Sequence, residues 1–161
     1  MMVVGDPRSD FLRARRHHLL ARAARRLAGR RPARTHPRDL GDVPAIGWRP
    51  MRLRPIALDD IVGTVDATPD FDAAFRPATD RIAPRWERIA RARREGRALQ
   101  PISVVERPDG YYVLDGRHRV SVARALGQAD IDAWTSPARP TPPTTEPDPP
   151  MPSPPSARRR C

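Results

Sequence analysis

Three basic side chains follow a glycine in the run Leu114-Asp115-Gly116-Arg117-His118-Arg119-Val120-Ser121. An alternating apolar run, Tyr111 to Leu114, precedes it, and an apolar-periodic run to Leu126-Gly127 follows. The pattern predicts a strand, a sharp turn at Gly116, and a helix over 117–126 whose first turn carries Arg117, His118 and Arg119. A helix N-terminus presents unpaired N–H groups and a partial positive charge. Two arginines and a histidine placed there suit a phosphate group. A strand–turn–helix whose arginines face solvent fits the same residues, because one glycine and three basic residues make a loose pattern. Asp115 is the carboxylate nearest the turn. It is a candidate catalytic base, and equally an ordinary turn former ahead of a glycine.

The elements that must position this run can be read outward from it. Upstream, Pro101 to Glu106 and Tyr111 to Leu114 flank Pro108-Asp109-Gly110, which predicts a hairpin over 101–115. Asp80 is placed to cap a helix that runs to Glu95 and stops at Gly96, with Pro84 fixing its start near Ala83. Ile82, Trp86, Ile89 and Ala90 form its apolar side, and Trp86 is expected in the core. Met51 to Pro55 predicts a short strand, Leu58 to Gly63 a helical turn closed by glycine, and Ile131 to Trp134 a last strand. Pro69 to Pro77 predicts an irregular loop anchored by Phe71 and Phe75.

Charge is distributed unevenly. The chain of 161 residues has 30 basic residues, all arginine, against 19 acidic ones. Residues 1–54 hold 14 of the arginines and only four acids, whereas 55–136 are nearly balanced. A helix is expected over residues 9–30, capped by Ser9 or Asp10, with leucines and alanines at helical spacing and arginines around most of the rest. Such a helix suits DNA phosphates, a membrane surface or a partner helix. Tryptophan is missing from it and Phe11 is its one aromatic, which counts against the membrane. Non-specific DNA contact through residues 1–40 is the expectation, with no membrane partner, and an arm disordered when alone fits the composition as well. No apolar stretch approaches the roughly 20 residues needed to span a bilayer.

Residues 31–50 predict a linker, and 136–161 a disordered proline-rich tail, since ten of the last 25 residues are proline. The one cysteine is Cys161, so an internal disulfide and a paired-cysteine metal motif are both excluded, and a cytoplasmic, nucleoid-associated location is the natural expectation. The domain expectation is therefore an arginine-rich helix and linker over 1–50, an α+β domain over 51–135, and the tail.

Within 54–135 three runs resemble the N-terminal domain of the ParB family of chromosome-partitioning proteins, as found in small stand-alone ParB-like proteins. They are Gly96-Arg97-Ala98-Leu99-Gln100-Pro101-Ile102-Ser103-Val104-Val105, Gly110 to Arg119, and Ala123-Arg124-Ala125-Leu126-Gly127. The resemblance implies the ParB/sulfiredoxin fold, a β-hairpin with short helices. It also implies a nucleoside triphosphate, CTP or ATP, with or without magnesium, bound at the Gly116 turn. Carried over by position, Gly116 matches the family glycine, His118 its first arginine and Arg119 its second. Arg117 stands where glutamate is expected and Ser121 where a third arginine is expected. The expected ligands are thus Gly116, Arg117, His118, Arg119 and Ser121, with Arg119 first and Arg124 uninvolved. No metal ligand is identified. Sulfiredoxin, on the same fold, has a catalytic cysteine where this chain has Arg117, which excludes that chemistry. Two classes of function stay open. One is a nucleotide-binding module, in chromosome partitioning or regulation, that associates with DNA through the arm, as a monomer or homodimer. The other is an enzyme of the same fold, a phosphotransferase, nucleotide hydrolase or nuclease, with Asp115 as its carboxylate. An interaction module without a ligand is the plainest reading.

Overall fold

The computed structural model describes residues 5–28, 37–39, 51–66 and 68–137. In chain order the elements are α1 (Pro7–Leu27), β1 (Arg38–Asp39), β2 (Arg52–Ala57), β3 (Ile61–Thr64), α2 (Ala83–Arg94), β4 (Ile102–Arg107), β5 (Gly110–Asp115), α3 (Arg117–Ala125) and β6 (Asp130–Pro137). Short 3₁₀ turns cover Leu58–Asp60 and Asp80–Ile82. The six strands form one mixed sheet in the order β1-β3-β5-β4-β6-β2. The architecture is mixed α/β, with a six-stranded sheet and three helices.

The hairpin forms as its turn signal requires, with Val104 opposite Val113 and Arg107 opposite Gly110. Strand β6 runs parallel to β4 and antiparallel to β2, and it is longer than the four residues expected. Alternation puts Ile102, Val104 and Val113 on one face, where they meet Val120 and Ala123 of α3 together with Ile56, Leu58, Ile61, Phe75 and Ala133. Val122 points the other way along α3. There it joins Trp86 and Ala90 of α2, Phe71, and Phe11 and Ala14 of α1 in a second apolar cluster. Helix α3 lies on the sheet, α2 packs on α3, and α1 packs on both helices.

Helix α1, expected within an arginine-rich helix and linker over 1–50, packs into this core. Phe11 is buried and meets the Trp86 ring edge-on at 5.5 Å. Asp10 does not cap the helix. Asp6 does, accepting from the N–H groups of Arg8 and Ser9. Asp10 is buried instead and takes two bonds from Arg94, from Nε at 2.7 Å and Nη2 at 2.8 Å. That pairing is the main cause of the raised Arg94 pKa. His18 is also buried, its Nδ1 3.1 Å from the Asp72 carboxylate. The core thus extends beyond the expected start at residue 51 to include α1, and Arg38–Asp39, expected in a linker, pair with β3.

Two other local expectations change. Leu58–Gly63 is not a helical turn: only 58–60 curl, and Gly63 lies within β3, paired with Arg38 on one side and Tyr112 on the other. Asp80 caps nothing; its carboxylate holds Arg15 of α1. Helix α2 begins at Ala83, as Pro84 requires. The proline-rich tail beyond Pro137 and most of the 29–50 linker, with Cys161, lie outside the described residues. Among the described residues no helix is long and apolar enough to cross a membrane.

Candidate functional site

Strand β5 ends at Asp115, Gly116 turns the chain, and α3 begins at Arg117. Gly116 has φ +107°, which favours glycine. It also lies against β4: a Cβ there would fall 2.8 Å from the Ile102 Cβ. No side chain caps α3, so its first N–H groups are left free at the turn. Opposite them lies the loop before α2. Asp72 shapes that loop by accepting 2.9 Å bonds from the N–H groups of Ala74 and Arg76, and Phe75 adopts φ +59° within it. Phe71 and Phe75 are buried, as anchors should be.

Between these walls is a cleft of about 310 Å³. Its rim holds four arginines: Arg81 and Arg85 from the start of α2, and Arg117 and Arg119 from the first turn of α3. Two are committed. Arg81 Nε donates to Asp70 at 2.6 Å. Burial pushes the Asp70 carboxyl up, but bonds from Arg81 and Thr79 outweigh it and hold the pKa below the usual value. Arg119 is largely buried. It donates through Nη1 to the carbonyls of Gln100 (2.5 Å) and Pro101 (2.8 Å), and through Nη2 to Asp115 at 2.5 Å. Arg85 and Arg117 have no hydrogen-bond or ion-pair partner among the described residues. Two unpaired guanidiniums beside an uncapped helix N-terminus are an arrangement chemically suited to an anion.

The expected ligands divide accordingly. Gly116, Arg117, His118 and Arg119 all line the cleft. Arg119, expected as the leading phosphate ligand, already commits three of its five N–H donors and braces the start of β4 against α3. His118, expected as a second cation, is neutral at pH 7: burial first, then Arg85 and Arg117, lower its pKa to about 4. Its ring stands edge-on to Phe71 at 5.2 Å. It can offer a phosphate one neutral N–H. Ser121 is buried on the far side of α3, where its hydroxyl accepts from Trp86 Nε1 at 2.9 Å. It does not line the cleft. Asp115 does, but Arg119 engages its carboxylate. Arg124, expected to be uninvolved, does not line the cleft. It donates to the carbonyls of Ala74, Leu58 and Ile61 and lies over the Phe75 ring at 5.1 Å. Among the described residues no group of three or more His, Cys, Asp or Glu side chains could hold a metal ion.

Sequence reasoning missed Arg81, Arg85, Asp70 and Thr68, which complete the cleft. Arg81 and Arg85 sit one helical turn apart around the start of α2, a weak signal for a second basic helix start facing the first.

No family model matches the chain, and no curated protein matches it. Among solved structures, sulfiredoxin from Arabidopsis thaliana matches with a TM-score of 0.37 and 19% sequence identity, over 52% of this chain and 83% of that one. A likeness of that size says nothing about activity or ligand.

Proposed function

We propose that this chain is a ParB-like binding module for a phosphorylated small molecule, a nucleoside triphosphate, held in the cleft between α2 and α3. The observation that carries the reading is the pair Arg85 and Arg117, both unpartnered among the described residues, on either side of the bare α3 N-terminus. The free N–H groups and the two guanidiniums bind phosphate oxygens, and His118 adds one neutral donor. Gly116 lets the backbone approach the ligand closely. The volume suits a polyphosphate with part of its nucleoside, since ligand pockets begin at about 300 Å³. Binding is favoured over catalysis because Asp115, the one carboxylate at the turn, is held by Arg119.

Calorimetry with CTP, ATP, GTP, UTP and inorganic triphosphate, each with and without Mg²⁺, tests the reading. Each charge-assisted bond from arginine is worth about 1.5–3 kcal/mol, so Arg85→Ala and Arg117→Ala each weaken binding by about 10-fold or more. Unchanged affinity in the double variant, folded by circular dichroism, would remove the site. Failure of every triphosphate to bind the wild type would leave an interaction module.

A further inference from the structure

Helix α1 has two apolar sides, and the domain uses only one of them. Phe11 and Ala14 face inward, along with the polar Asp10 and His18. The leucines that dominate its sequence pattern face outward: Leu12 is 55% exposed, Leu19 49%, Leu20 56% and Leu27 90%. At about 100° per residue, Leu12, Leu19, Ala23 and Leu27 fall in one stripe with Leu20 on its border. Arg8, Arg16 and Arg26 fall in or beside the same stripe and are exposed. As the outermost layer, α1 packs on α2 and α3 and turns this stripe away from them. Exposed leucines interleaved with exposed arginines along one helix side make an amphipathic face of the kind that docks on a surface.

Charge selects the occupant. Seven arginines and one acid lie in α1, and that acid, Asp10, is already paired with Arg94. A second copy brings the same positive field. The chain's own residues 29–50 and 138–161 also carry more arginine than acid, so neither is a complementary cover. Duplex DNA answers the arginines but leaves four leucines in water. An anionic bilayer surface answers both, taking leucines at the acyl boundary and arginines at the lipid phosphates. We propose that the outer face of α1 docks the protein flat on a membrane surface rich in anionic lipid. This needs no spanning segment, and it is independent of what the cleft binds. Phe11, the one aromatic of α1, is spent in the core, so the leucines alone supply the apolar contact and anionic lipid is required.

The full chain is to be sedimented with vesicles of phosphatidylcholine alone, or mixed equally with phosphatidylglycerol, and titrated separately into a short DNA duplex. The expected result is binding to the anionic vesicles and not to the neutral ones. The variant Leu12→Ser/Leu19→Ser/Leu20→Ser, at exposed positions and checked for helicity, loses vesicle affinity by about 30-fold or more. The variant Arg8→Gln/Arg16→Gln/Arg26→Gln loses its salt-sensitive part. Absence of wild-type binding to anionic vesicles overturns the proposal, as does equal binding by the leucine variant. Duplex binding that needs the arginines and ignores the leucines, with vesicles left unbound, makes the arm a nucleic-acid contact instead.

Discussion

Arg81 and Arg119 each hold a carboxylate, whereas Arg85 and Arg117, across the same cleft, have no such partner among the described residues. The difference separates bracing from binding. Arg119→Ala removes two bonds to the carbonyls at 100 and 101, so it is expected to cost about 2–3 kcal/mol of stability. Chemical denaturation of that variant checks this. Arg85→Ala should leave the unfolding midpoint in place and change only ligand affinity. His118 predicts a pH effect. Its folded pKa is near 4, below the ordinary 6.5, so the unfolded chain takes up the proton first. This contribution is intact above pH 6.5 and is lost as pH falls toward 4, by about 2 kcal/mol once solvent screening at a half-buried ring is allowed for. His118→Asn should flatten that part of the stability profile; an unchanged slope in the variant would show that the ring is not buried neutral. The basic turn from Arg117 to Arg119 was legible because its residues are contiguous. What each does was not, because the carbonyls that engage Arg119 and the Phe71 ring against His118 come from other parts of the chain.

At the scale of elements, the hairpin and α3 were legible because local rules set both. Pro108-Asp109-Gly110 makes the turn, and Gly116 separates strand from helix. Strand β3 was not legible. Its four residues are extended because β5 and β1 pair with them, a condition no neighbouring residue announces. Helix α1 was located within a few residues, yet which of its faces packs inward was not legible. Four leucines stand at helical spacing there, but the face that packs is chosen by Phe11 against Trp86 and by Asp10 against Arg94. The Gly116 turn is the element junction most sensitive to change. Gly116→Ala combines a left-handed backbone with contact against the fully buried Ile102. A loss of about 2–4 kcal/mol is expected in denaturant unfolding. A near-neutral result would mean that β4 shifts freely under the turn.

For the whole molecule, α1 packs across α2 and α3, so α2 is held between α1 and α3. Removing residues 1–28 uncovers Trp86, Phe71 and the Arg94 guanidinium together. The truncated chain should lose about 3–5 kcal/mol, summed from the burial of Phe11 and Ala14 and the Asp10 pair. Thermal unfolding of both chains measures it, and equal stability would show that α1 adds nothing to the core. The apolar residues of the hairpin, α2 and α3 cluster in sequence, whereas the contribution of α1 depends on a few residues far from their partners. Trp86 touches both boundaries at once, edge-on to Phe11 and bonded to Ser121. Its indole is fully buried, while that of Trp134 is partly exposed. With Trp48 and Trp134 replaced by phenylalanine, Trp86 is an optical gauge of whether α1 is seated. Lifting the helix admits water to an otherwise dry indole and shifts its emission to the red, so the state of the arm can be followed on lipid, on DNA or in free solution without attaching a label.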